Sequence, residues 1–399
     1  MPPTSPHGSR PSCPSPGEQV GDQPLGPSPH GPRVSPRRAG AGRWPPGGGG
    51  RPAVKVLFLV LDGVSPRHVD GGAMPTLAGL ALEGGWCRDG AIGVMPSSTY
   101  PNHATFVTGV PPQDHGIVAN ELPSAEGVIP SWELGPSVPT LFDAMHGVGR
   151  RSAAVFGDHH LVGVTAADRA TVVWSGDGHA GVARDVLGYA KDRETAAATV
   201  RAVDGGAELV IAQFNEPDTI AHIFGPDSPE ALHRYGRTDG YVGDVVESLW
   251  GEWGTWAVLV VSDHSQETVT DPLPIDLHSV AAELGFGGRI VDDGAAAIVA
   301  GEMADDPSWM FRVPGVEGVE RLGGRAVLAW AVPGRYFAAG EVPVRGVHGS
   351  PRTAVQVAVV AGGHPGAEKL AAQIVDQPLR STSWAPVMAD LLGIPFPPG

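Results

Sequence analysis

Val54-Lys-Val-Leu-Phe-Leu-Val-Leu61 is a nearly unbroken apolar run, and it stops at Asp62-Gly63. A run of this length closed by a turn signal suits a strand at the centre of a parallel sheet, where helices cover both faces and no polar alternation is needed. Asp62 then stands just past the strand's carboxyl end. The same pattern returns at Glu208-Leu-Val-Ile-Ala-Gln-Phe214, followed by Asn-Glu-Pro-Asp218, and at Trp256-Ala-Val-Leu-Val-Val261, followed by Ser-Asp263-His264. Each strand delivers a carboxylate beyond its end. In open α/β sheets that edge is where ligands bind, so the repetition points to one shared site.

Helical segments between these strands supply the crossovers that parallel pairing requires. Pro75 to Glu83 opens on a proline and closes at Gly84-Gly85, Thr140 to His146 follows Pro139, and Pro229 to Trp250 carries Leu232, Tyr235, Val242, Val246 and Leu249 at helical spacing. Further strands are expected at 153–156, 326–331 and 355–360. The predicted class is α/β, with a mostly parallel central sheet and helices on both faces. Between about 268 and 345 the alternation breaks into Gly, Pro and Asp, which predicts an inserted cap or small subdomain. No internal repeat is present.

The first 50 of the 399 residues are clusters of Pro and Gly with almost no aliphatic side chains. Such a segment cannot bury enough apolar surface to offset its ordering entropy, so it reads as a disordered tail before one catalytic domain over 51–399. That stretch holds no signal-peptide core, and no later run approaches the roughly eighteen apolar residues of a membrane span, so a cytoplasmic protein is expected. The net charge of −16 argues against a nucleic-acid groove and fits carboxylates gathered around cations. Cys13 and Cys87 are the only cysteines. Neither a disulfide framework nor a cysteine-type zinc site is available, so any metal falls to His and Asp.

Met95-Pro-Ser-Ser-Thr-Tyr-Pro-Asn-His103 places Thr99 just before Pro101, a residue favoured in the first turn of a helix. Backbone N–H groups at such an end attract a phosphate and favour an alkoxide, which makes Thr99 a candidate nucleophile; a plain N-cap is the other reading. Asp218 and His222 are spaced i, i+4, on one face of a helical turn. With His348 from Gly346-Val-His-Gly-Ser350 they form a carboxylate and two imidazoles with a position to spare, the pattern of a catalytic zinc site. Asp62, Asp263 and His264 form a second set, with Thr99 able to take its open position. His103, His159 and His160 fall outside both sets and read as structural or surface residues.

Taken together, Leu59-Val-Leu-Asp-Gly63, Pro96 through His103 with Val107-Thr-Gly109 and His115-Gly-Ile117, Glu216-Pro-Asp218 through His222 to Gly225-Pro226, Val261-Ser-Asp-His264 and His348-Gly-Ser350 resemble the nucleotide pyrophosphatase/phosphodiesterase family of the alkaline phosphatase superfamily. The segments stand in that family's order and span about 55 to 353. The resemblance implies an alkaline-phosphatase-like fold and a phosphohydrolase with two Zn2+, manganese being the other candidate metal. It implies small phosphate-ester or nucleotide substrates, Thr99 as a nucleophile that passes through phospho-threonine, and one ion on Asp218, His222 and His348 with the other on Asp62, Asp263 and His264. It also implies an oxyanion role for Asn120 and a nucleobase flanked by Tyr100 and Phe224. Ser265 replaces the family's usual Gly, and the 268–345 insertion matches no particular subfamily; both departures bear on substrate choice. No Arg accompanies Thr99 within 95–109 and no third ligand cluster is evident, so diesters are expected over monoesters. A phosphonoacetate hydrolase or monoesterase using the same site, and an inactive metal-binding protein, are the competing readings.

Overall fold

The continuous apolar runs become strands because both of their faces are buried. The computed structural model describes residues 54–396 apart from 125–126, 178, 324 and 341, so the stretch read as a disordered tail, 1–50, lies outside the described residues. The strands used below are Lys55–Leu61 (β1), Gly85–Trp86 (β2), Ser152–Phe156 (β3), Val172–Trp174 (β4), Leu209–Phe214 (β5), Trp256–Val261 (β6), Arg289–Asp293 (β7), Ala296–Ala300 (β8), Val316–Gly323 (β9), Ala326–Ala331 (β10) and Ala358–Ala361 (β11). The helices are Pro75–Glu83 (α1), Thr99–Thr108 (α2), Leu141–Gly147 (α3), Asp192–Asp204 (α4), Glu216–Phe224 (α5), Pro229–Glu247 (α6), Pro365–Asp376 (α7) and Trp384–Leu392 (α8).

The central sheet runs β2-β11-β6-β1-β5-β3-β4. Strands β6, β1, β5, β3 and β4 are parallel, and β11 and β2 add an antiparallel edge. In β1, Val56, Phe58 and Val60 pack under α2, α3, α7 and α8, while Leu57, Leu59 and Leu61 face α1, α4 and α6. Each fully buried aliphatic or aromatic side chain contributes roughly 1.5–3 kcal/mol. That explains why β1 is apolar at every position from Val56 to Leu61.

Three sequence expectations shift in detail. Thr140 is the N-cap of α3 rather than its first residue, held by a reciprocal bond with Asp143. Helix α6 stops at Glu247, and its Leu232 is 40% exposed while Tyr235, Val242, Val246 and Leu249 are buried. Ala326–Ala331 is a strand, but of a separate antiparallel sheet ordered β7-β8-β10-β9, which packs its own core of Ile275, Leu277, Val299, Trp309, Val327 and Phe337. The chain enters and leaves this inserted subdomain through one short antiparallel ladder, Glu267–Thr268 against Gly346–Val347.

Helices α4 and α5 begin on each other. Asp192 N–H donates to Glu216 Oε2 at 2.9 Å, and Glu216 N–H donates to Asp192 Oδ1 at 3.1 Å. Thr238 donates to Asp192 Oδ2, and Arg234 pairs with Glu216 at 3.1 Å. Burial, with the neighbouring Glu216 charge adding to it, pushes the Asp192 carboxyl up to about 7. The folded chain therefore keeps this proton where the unfolded chain has released it. The resulting stability is full below about pH 4 and is lost as the pH rises towards 7. Asp192→Asn stays neutral and keeps both bonding ends, so the variant should gain on the wild type by on the order of 3–4 kcal/mol between pH 4 and pH 8. Urea midpoints of both proteins across that range check this; a constant difference refutes it.

Candidate active site

The parallel register brings the strand ends level: Leu61 of β1 pairs with Phe214 of β5, and Val60 with Val261 of β6. Asp62 follows β1 directly, and Asp263 and His264 follow β6 by two and three residues. Helix α5 starts two residues after β5, so Asp218 lies on its first turn and His222 one turn on. The loop returning from the inserted subdomain adds His348. The structure thus gathers all six residues at one sheet edge. Gly63 N–H donates to Asp263 Oδ1 at 3.2 Å, which ties two of the strand ends together.

Distances define two adjoining donor groups. Asp62, Asp263 and His264 offer donor atoms within 4.8 Å of one another, with His264 Nε2 3.5 Å from Asp62 Oδ1 and 3.4 Å from Asp263 Oδ2. Asp218, His264 and His348 also fall within 4.8 Å, and His222 Nε2 lies 3.3 Å from Asp218 Oδ2. His264 therefore stands in both groups, whereas the sequence reading kept the two sets separate. The His264 and His348 rings stack at 3.9 Å, and those of His222 and His348 lie 5.0 Å apart.

All three imidazoles are oriented the same way. His222 Nδ1 meets Gly346 O at 2.8 Å, His348 Nδ1 meets Ser97 O at 3.2 Å and His264 Nδ1 meets Ser265 O at 3.2 Å. A carbonyl can only accept, so each Nδ1 carries the proton and each Nε2 keeps its lone pair for a ligand. Burial, reinforced by His264, holds His348 well below the usual imidazole range, hence neutral. Burial and then the Asp263 and Asp218 charges push the Asp62 carboxyl well above its ordinary value. Asp62 Oδ1 and Asp263 Oδ2 are buried without a hydrogen-bond partner. Orphaned carboxylate oxygens beside imidazole lone pairs are what divalent cations such as zinc complete, so the residues fit the metals that the sequence implies.

Thr99 is the first residue of α2, and Ser98 holds the N-cap position. Thr99 Oγ1 lies 3.3 Å from His264 Nε2, inside the donor cluster. Tyr100 N–H donates to Asn120 Oδ1 at 3.1 Å, which fixes the amide and leaves Nδ2 as its free donor end. His103, set aside from the sequence as structural or surface, is buried against this machinery: its Nδ1 donates to Thr99 O at 2.8 Å, and Asp263 Oδ2 lies 3.6 Å away.

Two further residues position the candidate ligands. Gln213 Nε2 donates to Asp62 Oδ2 at 2.7 Å, and Gln266 Nε2 donates to the Asp218 carboxylate and, at 3.2 Å, to its backbone carbonyl. Gln213 left a signal in the sequence as the one polar side chain inside the apolar run of β5. Gln266 left none, since it meets Asp218 only in the fold.

Phe224, the last residue of α5, is 39% exposed. Tyr100 is 5% exposed; its hydroxyl donates to Asp158 Oδ2 at 3.1 Å and lies 3.2 Å from His160 Nδ1, and its ring meets Trp132 edge-on at 5.9 Å. Contrary to the sequence reading, a third donor cluster exists: Asp158, His159 and His160 fall within 4.8 Å of one another. Its carboxylate is engaged internally, by Tyr100 and by the His160 N–H at 2.9 Å.

The fold has counterparts among known proteins. Among curated proteins, ectonucleotide pyrophosphatase/phosphodiesterase family member 1 of Homo sapiens is 26% identical over 235 residues, 53% of this chain and 23% of that protein. Bis(5'-adenosyl)-triphosphatase enpp4 of Mus musculus is 25% identical over 248 residues, 57% of this chain and 50% of that protein. The chain thus spans half or less of the length of these relatives. The murine ectonucleotide pyrophosphatase/phosphodiesterase 5, solved in complex with AMP, superposes with a TM-score of 0.67 at 17% identity, covering 86% of this chain and 96% of that one. Phosphonoacetate hydrolase from Sinorhizobium meliloti gives 0.66 at 17% identity, covering 86% and 95%. At such identity these structures speak for the fold. The model of the type I phosphodiesterase / nucleotide pyrophosphatase family matches residues 56–312, more than half of the chain, and this protein belongs to that family.

Proposed function

We propose that this enzyme cleaves phosphodiester or pyrophosphate bonds in nucleotide-type substrates through a covalent phospho-threonine at Thr99, at a site that holds two divalent ions. One observation carries the reading: Thr99 Oγ1 sits against His264 Nε2 where two buried carboxylate oxygens have no partner. Asp218, His222 and His348 would hold one ion, and Asp62, Asp263 and His264 the other, with Thr99 beside it. Bound there, zinc or manganese supplies Lewis-acid chemistry, offsetting phosphoryl charge and lowering the pKa of a coordinated hydroxyl.

The chain's own groups do the rest. The first turn of α2 turns its positive end and the Thr99 N–H towards a phosphoryl oxygen, and Asn120 Nδ2 donates to another, so charge spreading over these oxygens meets fixed dipoles. Thr99 Oγ1 gives up its proton to water and bonds to phosphorus as the ester or anhydride oxygen departs with its electron pair. Water then cleaves the phospho-threonine and restores the hydroxyl. Of the two rings expected to flank a base, Phe224 is the one with a free face, and it gives a diester's second substituent a surface to rest on. The relatives' names, one an adenosyl-triphosphatase and one solved with AMP, favour nucleotides.

Metal analysis should find two divalent ions per chain, and His348→Ala should lose one of them along with orders of magnitude of activity. Less than about one ion after gentle purification counts against the site, since such sites bind tightly. Full occupancy without turnover on any ester would mark an inactive metal-binding protein.

Thr99→Ala should abolish turnover with metal content and fold intact. A plain helix-terminal threonine would instead cost on the order of 1 kcal/mol of stability and leave the activity in place. Thr99→Ser should keep part of the activity.

The kcat/KM for a p-nitrophenyl nucleotide ester and for bis-p-nitrophenyl phosphate should exceed that for p-nitrophenyl phosphate, because no Arg in 95–109 meets a monoester's extra charge. Phe224→Ala should weaken the nucleotide ester selectively, by the roughly 1–3 kcal/mol of one base stack. A monoester preference overturns the substrate class, equal losses on both diesters overturn the stack, and phosphonoacetate in the same panel tests the competing hydrolase.

A further inference from the structure

A carboxylate of the inserted subdomain reaches the residue just before the nucleophile. Asp293 ends β7 at the turn into β8; it is 8% exposed and accepts a 2.7 Å hydrogen bond from the Ser98 hydroxyl. Ser98 itself is fully buried. Two glycines let this turn come so close. A Cβ on Gly294 would stand 2.6 Å from His348 O, and one on Gly349 would stand 2.6 Å from Asp293 O; both residues have positive φ, +65° and +112°. Ala295 N–H donates to His348 O at 2.6 Å, which fixes the seat.

What Ser98 does not do gives this contact its meaning. It occupies the N-cap position of α2 with extended backbone, φ −124° and ψ 161°, yet its side chain makes no capping bond. A serine in that position normally accepts from the second or third N–H of its helix. The third residue of α2 is Pro101, which has no N–H, so Tyr100 N–H is the only such donor, and Asn120 Oδ1 already holds it at 3.1 Å. Ser98 Oγ and Asn120 Oδ1 are thus rivals for one hydrogen. Asp293 accepts from the Ser98 hydroxyl and so holds that side chain in a position where it makes no bond to the helix.

We infer that Asp293 is a positioning residue of this enzyme: by engaging the Ser98 hydroxyl it reserves the Tyr100 N–H for Asn120 and so keeps the Asn120 amide aimed at the phosphoryl group. The inference rests on the assignment of Thr99 as nucleophile and Asn120 as oxyanion donor. Without Asp293, Ser98 turns inward to cap α2, Asn120 loses its anchor, and the donor it offers to the transition state is misplaced.

The test is a rescue. Asp293→Ala should lower kcat on bis-p-nitrophenyl phosphate by about 10- to 100-fold, since losing an oxyanion donor outright costs about 100- to 1000-fold and misplacing it costs less. Metal content and Tm should change little, and the inhibition constant of inorganic phosphate, which meets the same amide, should rise. Adding Ser98→Ala removes the rival hydroxyl, and the double variant should return to the same order of magnitude as the wild type. Asp293→Asn keeps an acceptor for Ser98 and should keep kcat. Unchanged kcat in Asp293→Ala, a double variant as slow as the single one, or a loss matched by lost metal each overturns the inference. Should Asp293→Ala not fold, Asp293→Leu fills the space without an acceptor and has the same outcomes. Thr99→Ala run in parallel separates the two readings. If it still turns over, the nucleophile assignment fails; if it is dead while Asp293→Ala is at wild-type rate, only the role of Asp293 fails.

Discussion

Asp62, Asp218 and Asp263 are held together at one sheet edge, two of them almost wholly buried, and like charges out of water repel strongly. Nothing among the hydrogen bonds of the described residues satisfies Asp62 Oδ1 or Asp263 Oδ2. The rest of the fold supplies the means of keeping the three together. Parallel register sets the strand ends level, Gln213 and Gln266 each give an amide to a carboxylate, and three imidazoles turn their lone pairs inward. A cation in that place turns the repulsion into attraction, so the arrangement makes sense as a site for metal ions and little sense without them.

The carbonyls that orient the imidazoles come from Ser97, Ser265 and Gly346, on segments far apart in sequence. Tertiary packing consequently orients His222 and His348, whereas His264 is held by the carbonyl of its own neighbour. Near the nucleophile both kinds of contact occur: His103 binds the Thr99 carbonyl from one turn further along α2, and Asn120 binds the Tyr100 N–H from the segment between α2 and α3. Substrate chemistry is thereby exposed to small errors of backbone placement, because a shift of about 1 Å far from the reacting atoms can cost about a hundredfold in rate.

Most of the central sheet was legible in the sequence because a strand buried on both faces has to be apolar almost throughout, as 56–61 and 256–261 are entirely and 209–214 is but for Gln213. Asp62 and Asp263 stood out for the same reason, as the first charges after their runs, while Asp218 follows its run after Glu216. The inserted sheet was not legible: β10 looks like any other apolar strand, and nothing local says which sheet it joins. The outward turn of Leu232 was hidden as well, because helical spacing marks a face without marking where its cover ends. Gln266, Asp293 and His103 escaped because their partners are known only once the chain is folded. Asp158, His159 and His160 are adjacent in sequence, yet their bonds to Tyr100 could not be read from it.

The neck of the inserted subdomain, Glu267–Thr268 against Gly346–Val347, brings its two ends side by side. Such a module can be spliced into a loop with little disturbance to the host, since the host must span only the gap it already had. Leaving is harder. The returning strand of the neck runs directly into His348, and the turn after β7 lies against that residue's carbonyl. Trimming the subdomain to a minimal catalytic core would therefore cut into the candidate metal site itself.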